Sequence, residues 1–246
     1  SFYENAWPIL KEKKIPFLLF ISTEIVGKRG YMNWEQIKEL EKNKLVTIGN
    51  HSHSHGYLID KKKIDISKDI KKSIKIFEDK LGYNPKYFSY PFGEYSIDLK
   101  KIIKDLKFEF AFGQHSGLID LTKDRLELPR FPINEKYGDL NRFKFILKLF
   151  PFQYKEILPK NKYLQNFENP PIIKITFFEN QKNINKIKCY SNENNKWQES
   201  VIKINKNILS IIIKNKFMSE RGRVNCSLQD NIGWRWLGMQ FVIKDY

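Results

Sequence analysis

The sequence predicts an α/β protein in which parallel strands alternate with helices over residues 1–150, followed by a small antiparallel β-sandwich. Three observations carry this. The first part alternates amphipathic stretches with short apolar runs, the texture of strands joined by helices. Near Pro151 the texture changes, and Pro159, Asn161 and Pro170-Pro171 punctuate a segment poor in helical pattern. Beyond it, short β-rich runs recur at roughly ten-residue spacing between Asn-rich turns, as in a β-sandwich. The expected domains are therefore 1–150 and 171–246, with a linker over 151–170. The 246 residues include 19 Phe, 12 Tyr and 5 Trp, which is ample core material. That excludes a disordered tail, a collagen-like chain and a small disulfide scaffold. No apolar run approaches the roughly 18 residues of a membrane-spanning helix.

In order along the chain, residues 3–14 read as a helix, and 15–22 (IPFLLFIS) as a strand buried on both faces. Asn33 N-caps a helix over 34–43, and 45–49 (LVTIG) is the next strand. Residues 66–81 carry apolar residues at helical spacing and stop at Gly82, a C-cap, before a strand at 87–90. A helix over 97–106 and a strand over 108–112 (FEFAF) complete the pattern of a βα barrel or an open α/β sheet. The later strands are expected at 172–178, 184–190, 201–204, 208–213, 223–228 and 236–243. No repeat of solenoid period is present. The chain begins at Ser1, inside a helical pattern and without Met or a leader pattern, so its start is expected to be a cut one.

The 44 Lys+Arg exceed the 28 Asp+Glu to give a formal net charge of +16. The excess is mostly Lys, scattered among Ile and Asn without the Arg-Gly or aromatic-basic interleaving of a nucleic-acid surface. It reads as solvated faces, or as attraction to an anionic polymer or membrane surface. Cys189 and Cys226 are either one disulfide or two buried thiols.

Three of the 4 histidines fall in one stretch, Asn50-His51-Ser52-His53-Ser54-His55, directly after the strand LVTIG. The C-terminal end of a barrel strand is where active sites of such folds are built. Imidazoles at i and i+4 can converge on one cation if the segment turns, and neutral imidazole is a common zinc ligand. A catalytic zinc usually has three protein ligands, so a further donor is required. The next strand ends in Tyr90-Pro91-Phe92-Gly93, a bend able to present a backbone N–H as an oxyanion donor.

With both motifs in order on consecutive strands, residues 1–135 resemble the NodB-homology polysaccharide deacetylases of carbohydrate esterase family 4. The layout is similar to the branch acting on poly-N-acetylglucosamine, through MNWEQIKELEKNKLVTIGNHSHSH, FSYPFGEYS and ELPRF. The resemblance implies a distorted (β/α)7 barrel, here lacking its first strand, and a hydrolase that removes N-acetyl groups from a polysaccharide. His51-Ser52-x-x-His55 matches the family's H-[ST]-x-x-H motif, implying His51 and His55 as ligands of a divalent metal, zinc first and cobalt or nickel as alternatives. His53 is then a non-ligand. Tyr90-Pro91-Phe92-Gly93 resembles the R-x-P-[YF]-G motif, implying the Phe92 N–H as oxyanion donor with Tyr90 and Pro91 beside the substrate. A bacterial cell-envelope or extracytoplasmic setting is also implied. The C-terminal GRVNCSLQDNIGWRWLGMQF is similar to β-domains that follow such barrels.

Three departures qualify the match. The family's T-F-D-D-G strand, which supplies the general base and third metal ligand, is missing, so the chain as it stands is expected to be inactive or impaired. Phe88 stands where the motif has Arg, with Arg130 of LELPRF as its candidate replacement. The late Leu-x-His is also absent, leaving His115 as candidate general acid. Trp34 and Tyr95 are candidates for stacking a sugar ring, against ordinary packing. Two rival readings remain: an amidohydrolase using His51-x-His53, and a non-catalytic carbohydrate-binding protein in which Trp234 and Trp236 grip glycan rather than fill a sandwich core.

Overall fold

The computed structural model describes residues 1–179 and 181–244. The chain divides into two compact units, Ser1–Phe92 with Asp98–Phe112, and Gly93–Ile97 with Gly113–Tyr246.

The first unit runs α1 (Phe2–Asn5), α2 (Trp7–Glu12), β1 (Phe17–Ile21), α3 (Trp34–Glu41), β2 (Val46–Asn50), α4 (Lys63–Leu81), β3 (Tyr87–Ser89), α5 (Ile97–Asp105) and β4 (Phe110–Phe112). Its four strands are all parallel, in the order β1-β2-β3-β4. Among the described residues this four-stranded sheet does not close on itself. The helix expected over 3–14 is two short ones, because Pro8 has no N–H to continue α1 and is tolerated in the first turn of α2. Asn33 caps α3 as expected: the Gln36 N–H donates to Asn33 Oδ1 and the Asn33 N–H to Gln36 Oε1. Helix α4 starts three residues before the expected 66 and stops at Gly82, which takes the left-handed conformation (φ 82°) its cap requires. The apolar faces of α3 and α4 meet β2 in a core of Trp7, Ile21, Ile37, Leu40, Val46, Ile48 and Phe77.

The second unit adds α6 (Leu140–Ile146) and the strands β5 (Phe150–Pro151), β6 (Glu156–Leu158), β7 (Tyr163–Leu164), β8 (Ile173–Thr176), β9 (Lys188–Glu193), β10 (Lys196–Glu199), β11 (Val201–Asn205), β12 (Ile208–Ile212), β13 (Arg221–Gln229) and β14 (Trp234–Ile243). They form one sheet in the order β10-β9-β13-β14-β5, with β7 also on β14, and a second in the order β11-β12-β8-β6. Both sheets contribute to one core, including Ile173 and Leu209 from one and Val224 and Phe241 from the other. Along β13 buried and less buried residues alternate, the period-2 signature of a sheet with one covered face.

Three expectations are adjusted. Residues 151–170, expected as a linker, carry β6, β7 and the end of β5, segments too short to show a period. The second unit also takes in 113–150, so the boundary expected at 150 lies elsewhere. Residues 184–186 form a 3-10 turn, and β9 begins only at Lys188. The cysteine alternative is resolved: Cys189 and Cys226 are opposite one another on β9 and β13 and form a disulfide.

Candidate metal and oxyanion site

The histidine segment leaves β2 through a turn that apolar packing alone does not specify. Ser52 and His55 have left-handed backbones (φ 65° and 53°), a conformation costing a non-glycine residue about 1–3 kcal/mol. Polar pins hold it. Fully buried Asn50 accepts through Oδ1 from the Ser52 N–H at 2.9 Å and from Ser73 Oγ of α4 at 3.0 Å. Ser52 Oγ in turn accepts from the His55 N–H at 3.0 Å. Asp69 of α4 accepts from the N–H groups of His53 and Ser54, at 3.0 and 3.2 Å. From the end of β1, Ser22 Oγ donates to the His51 carbonyl at 2.8 Å, and the Thr23 and Glu24 N–H groups donate to the carbonyls of Ser52 and His53.

This frame brings the His51 and His55 rings together, their centroids 4.7 Å apart and nearly perpendicular. His51 Nδ1 lies 2.7 Å from the Ser89 carbonyl oxygen at the end of β3. A carbonyl only accepts, so the proton sits on Nδ1 and Nε2 carries the lone pair, the tautomer of a metal ligand. His53 is engaged differently: its Nδ1 is hydrogen-bonded to Thr23 Oγ1 at 2.8 Å. Burial first, then Lys72, holds its imidazole below the usual histidine range, while Asp69 opposes them. Among the described residues no group of three or more His, Cys, Asp or Glu is placed to hold a metal ion. The donors present therefore fit two positions of a divalent metal's shell, both imidazole.

The second motif sits beside the first. Phe92 has φ 58°, the third strained residue of this site, inside the short 3-10 turn Pro91–Gly93. Its ring stacks on Tyr57 at 4.0 Å with planes 2° apart and meets the His55 ring at 4.9 Å. Tyr90 and Pro91 are buried; Tyr90 donates its N–H to the Phe112 carbonyl and sets its ring against Phe88. Phe88, in the place of the motif Arg, is likewise fully buried and packs on Phe108.

The other predicted residues are not brought to this constellation within the first unit. Trp34 opens α3 and, partly buried, packs edge-on against Phe77 at the side of the unit's core. His115, Arg130 and Tyr95 belong to the second unit. There the Tyr95 and His115 rings lie 6.0 Å apart, and the Arg130 N–H donates to the His115 carbonyl. Burial lowers the Arg130 guanidinium from its usual range. Trp236 Nε1 donates to Ser116 Oγ at 3.1 Å, whereas Trp234 is 40% exposed. Sequence reasoning missed Asn50, Ser73, Asp69 and Tyr57. One signal was available: Ser73 occupies a position of the apolar stripe Ile66, Ile70, Ser73, Phe77, where a hydroxyl requires a partner.

Residues 1–111 match the family model for polysaccharide deacetylases. Poly-beta-1,6-N-acetyl-D-glucosamine N-deacetylase of Staphylococcus aureus is 28% identical over 148 residues, 55% of this chain and 51% of that protein. Its namesake from Staphylococcus epidermidis is 24% identical over 147 residues, 54% of this chain and 51% of that protein. The chain thus spans about half the length of the curated relatives it matches. Among solved structures, the Streptococcus pyogenes deacetylase PplD in complex with acetate aligns with a TM-score of 0.54 at 21% identity, over 58% of this chain and 64% of that one, a likeness of fold.

Proposed function

We propose that residues 1–111, which match the family model for polysaccharide deacetylases, form such a domain, and that the protein hydrolyses the N-acetyl groups of an N-acetylglucosamine-type polysaccharide in a cell-envelope or extracytoplasmic setting. The observation that carries the reading is the His51 Nδ1 contact with the Ser89 carbonyl, which turns the lone pair of a paired imidazole to Nε2. His51 and His55 would hold a divalent metal, zinc before cobalt or nickel. Bound there, such an ion supplies Lewis-acid polarisation of a carbonyl and lowers the pKa of coordinated water. The disulfide supports the setting, since such bonds persist in oxidising compartments. The first unit's sheet is then part of a distorted (β/α)7 barrel, and the second unit's paired sheets are a β-sandwich accessory domain.

In the reaction, a water oxygen adds to the acetamide carbon, the C–N bond breaks, and the water's proton ends on the leaving amine, giving acetate and a glucosamine unit. The Phe92 N–H donates to the oxygen that becomes negative. Its left-handed backbone is held by the Tyr57 stack, so the donor is oriented before charge develops and need not reorganise. His53, its imidazole held below the usual histidine range by burial and tied to Thr23, braces the turn instead of joining the shell.

A second reading, a glycan-holding protein without turnover, is favoured by one observation: two metal donors, rather than three, are assembled among the described residues. Zinc affinity, measured beside acetate release from a poly-β-1,6-N-acetylglucosamine oligomer, separates the two, because the chain as it stands is expected to be inactive or impaired. The deacetylase reading expects zinc affinity, and any acetate release, to fall by at least about 10-fold in His51→Ala and His55→Ala, the least that even an outer-shell partner costs. Binding of the oligomer with no zinc taken up through His51 and His55 overturns it in favour of the second.

A further inference from the structure

The outward face of the five-strand path in the second unit carries a groove of about 740 Å³, in the size range of ligand sites. Its floor follows from register. Lys188 on β9 is opposite Ser227 on β13, and Gln229 on β13 is opposite Trp234 on β14, so these side chains share one face with Tyr190. The other face of the same strands holds the buried Cys189, Cys226 and Leu228. Two large rings stand exposed on the groove face, Tyr190 at 38% and Trp234 at 40%. Exposed aromatic planes flanking a polar floor offer stacking for the apolar C–H face of a pyranose ring. Gln229 and Asn231 offer amide donors and acceptors suited to hydroxyl and acetamido groups.

The charge of the lining adds a preference. Lys186 and Lys188 line the groove. Its one carboxylate, Asp230, is engaged by Arg235 Nε at 2.6 Å and by the N–H groups of Ile232 and Gly233. Lys188 approaches Glu199 only at 3.9 Å, with both side chains largely exposed, a pairing of little weight. The groove is therefore cationic, and a deacetylated amino sugar is cationic too.

We propose that this groove binds a strand of the acetylated polysaccharide and discriminates against its deacetylated product, so that the second unit holds substrate and lets processed polymer go. The proposal rests on the substrate class assigned above. It places glycan recognition on Trp234 and Tyr190, apart from the histidine motif.

The test is calorimetry on the full chain with two probes, a pentamer of β-1,6-linked N-acetylglucosamine and its fully deacetylated counterpart. The acetylated pentamer is expected to bind at least about tenfold more tightly at low salt, with the gap closing as salt screens the lysines. Trp234→Ala weakens the acetylated pentamer at least about tenfold, Trp234→Phe restores most of the loss, and Lys188→Glu narrows the gap between probes. Unchanged affinity in Trp234→Ala with a native thermal melt, or equal affinity for the two probes, overturns the proposal. Acetate release by a protein that does not bind through Trp234 overturns the groove alone. Binding through Trp234 with no zinc taken up through His51 and His55 overturns the deacetylase reading alone.

Discussion

The two units solve the problem of presenting side chains in opposite ways. In the second, paired strands set side chains by register: along β9 and β13 alternation decides which residues enter the core, while the far half of β14 is buried on both faces. In the first, the residues of interest lie just beyond short strands, on backbone held in conformations that non-glycine residues avoid. Three of the nine non-glycine residues with positive φ among the described residues, Ser52, His55 and Phe92, belong to the two motifs. Regular ladders place a face cheaply but coarsely. A strained turn pinned by Asn50, Ser52 and Asp69 places two imidazoles in a specific arrangement and depends on a few polar contacts, while the separate turn Pro91–Gly93 carries the Phe92 N–H.

That contrast can be broken first at the second unit. Replacing Cys189 and Cys226 by Ala removes a cross-link with a sequence separation of 37, which lowers that unit's unfolding free energy by about 3–4 kcal/mol. Denaturant unfolding monitored by Trp fluorescence checks this, and an unchanged midpoint counts against the bond bearing on stability. In the first unit Asn50→Ala leaves the Ser52 N–H and the Ser73 hydroxyl without their acceptor, a loss of about 1–3 kcal/mol. It also loosens the turn, so zinc affinity falls with stability. If stability falls but zinc affinity holds, the pins are structural only.

Phe92→Gly sharpens the comparison further. It relieves about 1 kcal/mol of backbone strain and forfeits a ring stack worth about 0.5–1.5 kcal/mol, so stability changes by less than about 1 kcal/mol. Acetate release falls nonetheless, because the N–H loses its fixed direction; a variant as active as the parent removes Phe92 from the account. The smallest effect is at Tyr83, which follows α4. Burial first, then Glu41, pushes its phenol up to about 12. A raised tyrosine pKa contributes stability that is present below the unfolded value near 10 and is lost as pH rises through about 12. Ultraviolet titration of Tyr83→Phe should lack this late phenolate, and a titration identical to the parent's excludes the assignment.

The legible parts of the molecule were those written locally. The motifs of His51, His55 and Phe92 are short stretches of sequence, the Asn33 capping box and Gly82 stop are visible within four residues, and β13 alternates with period 2. What stayed hidden was set by distance along the chain. Asp69 reads as part of a solvated face of α4 until the fold brings it under the His53 and Ser54 amides. Residues 156–158 and 163–164 become strands only because β8 and β14 offer them partners. For Trp34 the sequence left sugar stacking and ordinary packing side by side, and the fold sets its ring edge-on to Phe77.

The central claim, that His51 and His55 form the metal-holding pair, is tested most directly by long-range proton–nitrogen NMR of the imidazole rings during a zinc titration. The account predicts that zinc perturbs His51 Nε2 and the His55 ring while His51 Nδ1 keeps its proton on the Ser89 carbonyl. Zinc that binds and leaves both rings unperturbed, or that displaces the Nδ1 proton of His51, contradicts it.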